Sequence, residues 1–423
     1  MVYREIPASV AQRLLWMIRH YRTGFGALNC PLLCRVGGPL DTAALGSAVD
    51  LLTARHESLR TTFTGRGARL AQRVHDPRPL PLSIVDIPAD GLAQAVDAEL
   101  ATLIDPQEWP ARATLWRLAA DEHVLCLNLH HLVTDAWSIA VLLRDLTALY
   151  AAERGSGPVP PPPGAQYRDF AAWQERLLGG DGLRRHQDYW RRQLSGAELP
   201  RLRAVFGAGG HPAGRAVLDV DPGVVGALRT LAKARRTTLF AVLLAAFHGH
   251  LARVTGQPDL AVASMFANRS RPELRDTVGL LANMVLLRCP VPPGAGLADL
   301  VAGTHSALIG ALAYQDLPYQ LLPADLVRAG AGTRPDDVMF QVMAGVEHLV
   351  TAAGVRFELL VPDGIGSRFP FELALTPVGT GRIRAVLFHA AGWCSAAGAA
   401  EFLRGYADVL AGVPDPSYLS SRI

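Results

Sequence analysis

Leu129-His130-His131-Leu132-Val133-Thr134-Asp135-Ala136-Trp137-Ser138 decides how this chain is read. It closes an apolar run, His123 to His130, whose composition predicts a strand. It opens a segment, Ser138 to Ala152, whose apolar spacing predicts a helix. Such a junction is a frequent place for functional groups, because a rigid strand aims them while the loop leaves room for substrate. Adjacent strand residues point to opposite faces, so His130 and His131 do not converge readily on one metal. No third ligand stands nearby either, which argues against a metal site. One histidine is expected to face a cavity and the other to pack.

Outward from this stretch, the composition bounds the class. The 423 residues carry a net charge of +3, which does not advertise nucleic acid or an anionic membrane as partner. Half the residues are hydrophobic and 19% are charged, so a disordered chain is excluded. The length exceeds what one core fills, so two lobes are expected. Lys233 is the only lysine, a bias that reflects genome composition better than selection for arginine chemistry. The five cysteines (Cys30, Cys34, Cys126, Cys289, Cys394) form no CxxC or zinc-ribbon spacing and read as reduced thiols. The N-terminus is not a secretory signal and no apolar run reaches the ~20 residues of a membrane span. A soluble, cytoplasmic protein is expected.

Before the central stretch, helices are predicted over 8–22, from Asp41 to Arg55 and over 90–104, with strands at 32–38, 59–63, 69–74 and 80–87. ATLWRLAA and HVLCLNLH read as paired strands. Gly155 to Gly164 contains five prolines and reads as an exposed connector, followed by helices over 167–178 and 183–194. Asp221 and Thr238 then cap two helices, the second apolar enough to be buried. DLAVASMF, MVLLRCPV, VMFQVMAGV (338–346), VRFELLV, FELALT and IRAVLF read as strands, and 396–411 as a last helix. Strands and helices mix without strict βαβ order, so the expected fold is mixed α/β or α+β in two lobes.

HHxxxD followed by a small residue resembles the signature of the condensation domains of nonribosomal peptide synthetases, relatives of the chloramphenicol-acetyltransferase-like acyltransferases. Ser9-Val10-Ala11-Gln12-Arg13-Leu14-Leu15-Trp16 looks like that family's SxAQxxLW, and Arg55 to Phe63 matches RHExLRTxF. Tyr167 to Trp173 matches YxDFAxW, Val278 to Met284 is similar to VGxFxNT, Tyr314 to Tyr319 to HQDxPFE, and Met339 to Met343 to PLFQVMF. The order is the family's and the resemblance covers essentially the whole chain. Departures are Ala136 for the usual Gly, Leu281 and Met284 within VGxFxNT, Tyr314 opening HQD, and Pro318-Tyr319-Gln320 for PFE.

The resemblance implies two acetyltransferase-like lobes, 1–175 and 176–423, arranged as a V around a central tunnel with His131 midway. It implies an acyl thioester on the phosphopantetheine arm of a carrier protein, attacked by an amine to form an amide. The acceptor is carrier-bound or a soluble amine or alcohol, and no cofactor is bound directly. A thioester is already activated, so no GxSxG nucleophile is needed and none is found. His131 is the expected base or positioning group, and His130 its structural neighbour. Asp135 is expected to pair with Arg269 and to join the two halves. Asn283 and the Ala136 N–H are candidate hydrogen-bond donors near the thioester. Trp137 and Ser138, placed with Ala136 on the substrate side, are expected to pack and to cap the helix. Arg4, Arg22, Arg191 and Arg192 either meet an acidic carrier or are solvated.

Rival readings are ester formation with a hydroxyl acceptor, an epimerisation domain, a soluble acyl-CoA donor, and a non-catalytic recruitment module. The matches to RHExLRTxF and YxDFAxW favour condensation; Ala136 keeps the recruitment module open. Met1 stands eight residues before Ser9, which fits a free-standing enzyme acting in trans or an excised domain. Acyl group, acceptor and product are not legible.

Overall fold

The computed structural model describes residues 3–21, 28–207, 209–323, 326, 333–343, 349–360, 369–379 and 381–413. In chain order the first elements are β1 (Tyr3–Pro7), α1 (Val10–Tyr21), β2 (Leu32–Gly37), α2 (Thr42–Arg55), β3 (Thr61–Thr64), β4 (Ala71–His75), β5 (Leu82–Asp86), α3 (Leu92–Ala101), β6 (Ala111–Ala119) and β7 (Glu122–Leu129). There follow α4 (Ala136–Glu153), α5 (Tyr167–Leu177), α6 (Asp181–Leu194), α7 (Leu202–Phe206), β8 (Gly214–Val220), α8 (Pro222–Ala234), α9 (Leu239–Thr255), β9 (Asp259–Phe266), β10 (Asn283–Pro290) and α10 (Leu297–Ala313). The last are β11 (Val338–Val342), β12 (Leu349–Ala352), β13 (Val355–Leu359), β14 (Phe371–Val378), β15 (Arg382–His389) and α11 (Ala396–Ala411).

Contacts divide the chain into two units. Met1–Gly179, Ala267–Ala282 and Gly345–Ile365 form one; Gly180–Phe266, Asn283–Ala344 and Gly366–Ile423 form the other. This differs from two contiguous halves at 1–175 and 176–423, because two later segments bond back to the first unit. β13 pairs antiparallel with β2, placing Phe357 opposite Val36.

The first unit holds a sheet of order β12-β13-β2-β7-β6-β5 and a small one of order β1-β4-β3. β7 shows why the larger sheet holds its register. Leu125, Leu127 and Leu129 pack with Leu45 and Leu52 of α2 and Leu142 and Leu146 of α4, while Val124 and Cys126 face Val96 of α3. A slip by one residue would exchange the faces, and each fully buried leucine contributes about 1.5–3 kcal/mol relative to exposure. The Asp41 carboxylate caps α2 by accepting from the Ala43 and Ala44 N–H groups. In the second unit the order is β10-β9-β11-β14-β15-β8. Its α9 is capped by Thr238 and is buried from Ala241 to Leu251.

β1, β8, β12, α7 and α10 are additions to the sequence reading. β8 is an exposed edge strand, with Val217 53% exposed, and α10 carries only Asp299 and His305 as ionisable groups, so neither announces a polar face. Helix α4 begins at Ala136, ahead of the expected Ser138. Arg22 and the end of the expected strand over 338–346 lie outside the described residues. None of the five cysteines is joined in a disulfide; burial pushes the Cys34 thiol up to about 12. Among the described residues no single helix is long and apolar enough to cross a membrane.

Candidate active site

Where β7 ends, its backbone stays anchored. The His130 N–H donates to Pro110 O at 2.8 Å and the His131 N–H to Leu28 O at 2.8 Å. The chain then turns, and Val133 N–H donates back to His130 O at 3.0 Å. Leu132 and Val133 are buried with Trp16 of α1 and Phe63 of β3, so an apolar plug holds the loop from below. Two imidazoles leave this turn in opposite states. His130 is buried, and its Nδ1 accepts from Leu132 N at 3.0 Å; its neutral form therefore carries the proton on Nε2. His131 is half-buried, and its Nδ1 lies 2.6 Å from Thr134 O. A carbonyl only accepts, so Nδ1 carries the proton and Nε2 is the basic nitrogen.

Asp135 is the N-cap of α4 and is 1% exposed. Its Oδ1 accepts from Ser138 N (2.9 Å), Ser138 Oγ (2.7 Å) and Arg269 Nη2 (3.0 Å). Its Oδ2 accepts from Arg269 Nη1 (3.0 Å), Leu281 N (3.0 Å) and Ala282 N (2.9 Å). Burial alone would raise the carboxyl pKa, but the Arg269 guanidinium and the Ser138 donors outweigh it and hold the group below the usual carboxylate range. A carboxylate so fully engaged is an organiser of backbone, not a proton acceptor. Arg269 also donates to Ala267 O at 2.8 Å and Thr277 O at 3.1 Å. Asp135 and Arg269 both belong to the first unit, so their pair does not join two halves as expected from sequence; it pins Ala267–Ala282 to α4.

Ser138 is not the helix cap. Asp135 is the cap, and the buried Ser138 hydroxyl also accepts from Gly279 N at 3.1 Å and from Arg269 Nη2 at 3.0 Å. Ala136 takes the first helical position and is exposed, and it is not among the residues of positive φ. The added Cβ therefore meets no backbone conflict here. Trp137 is 41% exposed, its Nε1 donating to Arg275 O at 2.9 Å. Asn283, in the second unit, spends both amide protons on carbonyls, at 2.5 Å to Gln315 O and 2.8 Å to Leu317 O. Both amide protons of the expected donor are thus engaged by main-chain carbonyls in this structure. They tie the residues after α10 to the start of β10.

Other motif residues brace the same unit. The Tyr167 hydroxyl donates to Leu280 O at 2.9 Å and contacts Ser9 Oγ at 2.7 Å. A Cβ on Gly279 would sit 2.0 Å from Tyr167 Cδ2. Gly279→Ala is therefore expected to destabilise by about 2–3 kcal/mol, the upper part of the overpacking range, read as a lower urea midpoint with unchanged slope. Arg55 binds Asp145 at 2.6 Å and the carbonyls of Pro160 (3.1 Å) and Pro161 (2.5 Å), fastening the proline connector. His56 Nε2 meets the same Asp145 at 3.0 Å. Burial would raise the Asp145 pKa, yet the bonds from His56, Arg55 and Arg144 hold it far below the usual range.

The family model described as "Condensation domain" matches residues 2–350. This chain belongs to the condensation domain family. The condensation domain is 36% identical over 330 residues to the phosphinothricin tripeptide synthetase PhsC of Streptomyces viridochromogenes, which covers 75% of this chain and 30% of that protein. It is 35% identical over 337 residues to the chondramide synthase cmdD of Chondromyces crocatus, covering 76% of this chain and 8% of that protein. The chain thus spans less than a third of the length of these relatives. Among solved structures it is similar to the X-domain from teicoplanin biosynthesis, with a TM-score of 0.82 and 26% identity over 99% of this chain and 98% of the other. The first condensation domain of the CDA synthetase has a TM-score of 0.80 at 22% identity over 99% and 98%, a likeness of fold.

Sequence reasoning passed over Thr134, Thr277 and Gly279, and gave Gln12 no part in the loop. Only Gln12 carried a local signal, the Ser9-Val10-Ala11-Gln12 spacing of a capping box.

Proposed function

We propose that this condensation domain is an amide-forming acyltransferase. An amine attacks the carbonyl carbon of an acyl thioester on a carrier's phosphopantetheine arm. The C–N bond forms, the C–S bond breaks, and the proton lost by nitrogen ends on the departing thiol. The arm arrives with the partner and is substrate, not a resident cofactor. The observation that carries the reading is the state of His131. Its Nδ1–H is spent on Thr134 O, which makes Nε2 the nitrogen suited to take or orient the amine proton. Asp135 and Arg269 act as scaffold beneath it. Holding both reactants supplies about 7–11 kcal/mol in favourable cases, so modest proton handling suffices for an activated thioester.

A second reading has a specific observation in its favour. The X-domain from teicoplanin biosynthesis, similar to this chain, is also described as a complex with OxyB. By that analogy the chain would recruit another protein. Mass spectrometry separates the two: carriers loaded with a set of acyl groups are offered free and carrier-bound amines and alcohols. The expected result is a condensed amide made by the wild-type protein. An ester, with no amide from any amine, would replace amide by ester formation. Carrier binding with no product of either kind would overturn the enzymatic reading in favour of recruitment.

A further inference from the structure

We infer that Gln12, from the N-terminal helix, is a positioning residue for His131; the inference rests on reading His131 as the working imidazole. Gln12 is 1% exposed and spends its whole amide. Its Oε1 accepts from Ser9 N at 3.0 Å, while Ser9 Oγ accepts from Gln12 N at 3.2 Å, a reciprocal capping box at the start of α1. Its Nε2 donates to Gln72 Oε1 at 3.1 Å and to Leu132 O at 3.0 Å. Gln72 in turn donates to Pro7 O at 3.0 Å, which closes the circuit on β1.

Leu132 O is the significant acceptor. It belongs to the residue that follows His131 and whose N–H donates to His130 Nδ1. Gln12 therefore holds the Leu132–Val133 peptide unit, the next along the chain from the His131–Leu132 unit whose N–H meets His130 Nδ1. If that carbonyl rotates, the span from His131 to Thr134 changes, and with it the 2.6 Å bond that selects the His131 tautomer. A helix cap needs only the Gln12 oxygen, so the two donated bonds are surplus to capping and reach 60 and 120 residues along the chain.

Gln12→Glu isolates this function. Glu preserves the capping oxygen but, when ionised, has no proton for Leu132 O or Gln72 Oε1. Gln72→Leu is the control: it removes the Gln12–Gln72 bond and the Pro7 bond but leaves Leu132 O to Gln12. Both variants are compared with wild type by thermal melting, by 15N shifts of the His131 ring (assigned with His131→Gln), and by acyl transfer from an N-acetylcysteamine thioester to an amine. The expected result for Gln12→Glu is a mixed His131 tautomer, kcat reduced ~10–100-fold with KM within twofold, and a kcat ratio to wild type at the same pH that partly recovers as pH falls and the new carboxyl regains a proton. Gln72→Leu should lose stability yet keep the wild-type ring shifts and kcat. Unchanged His131 shifts in folded Gln12→Glu, or equal kcat losses in both variants, would overturn the inference. Absence of transfer by wild type would strike the proposed reaction instead, and the ring shifts would still decide the role of Gln12.

Discussion

Arg269→Gln is expected to cost about 3–5 kcal/mol of folding stability, the range for removing one partner of a buried ion pair. The expectation sits at this size because both side chains are almost fully buried, 2% and 1% exposed. The guanidinium also serves the carbonyls of Ala267 and Thr277, so its loss strands acceptors as well as a charge. Asp135→Asn should cost a comparable amount for a different reason. Its amide NH2 would face the Leu281 and Ala282 N–H groups, or else the guanidinium, where only an acceptor is tolerated. The double variant should cost less than the sum, because each single change leaves an unpaired charge that the second removes. The pH dependence has a definite sign. The Asp135 pKa is depressed in the folded protein. Its contribution is therefore complete above the unfolded value of about 3.9 and is lost as pH falls through the lower folded value. Urea midpoints measured from pH 7 down to pH 2 should thus fall less steeply in Asp135→Asn than in wild type. A cost under about 1 kcal/mol for Arg269→Gln, the range of exposed pairs, would contradict the burial that the argument uses.

The same pair shows what the sequence could and could not convey. β7 was legible because its alternation is local: Val124 and Cys126 on one face, Leu125 and Leu127 on the other. Helix starts at Asp41, Asp221 and Thr238 were legible because a cap acts within three residues. Asp135 was harder. Ser138, also a good capping residue, drew the expected helix start away from it, and the partner of Asp135 stands 134 residues away. Only the resemblance to a family supplied Arg269. Nothing local says which sheet a strand joins, so β13 read correctly as a strand and its pairing with β2 went unread. Asn283 shows a further reason. A buried amide can face a ligand or a carbonyl, and the Gln315 and Leu317 carbonyls become neighbours only once the chain has folded.

His131→Ala is expected to lower kcat for acyl transfer by ~10²–10⁴-fold, the usual contribution of a positioned general base, equivalent to about 2.7–5.4 kcal/mol of barrier. The fold should survive. The ring is half-buried, and the loop retains its backbone bonds to Leu28, Pro110 and His130 together with the Leu132–Val133 plug. His130→Ala should behave in the opposite way. That ring is 2% exposed and accepts from Leu132 N, so its removal opens a cavity and strands a donor, lowering stability along with rate. The contrast separates chemistry from scaffold without any knowledge of the natural acyl group. Exogenous imidazole then separates the two roles open to His131. If Nε2 carries the amine proton, free imidazole entering the space left by Ala should restore part of kcat in proportion to its neutral form, so rescue should rise with pH and level off. If the ring only orients the amine, a diffusing imidazole cannot reproduce its fixed position, and rescue should be absent while KM for the amine rises. Equal kcat in wild type and a folded His131→Ala would remove the imidazole from both roles, and the thioester's own reactivity with reactant alignment would have to supply the whole rate.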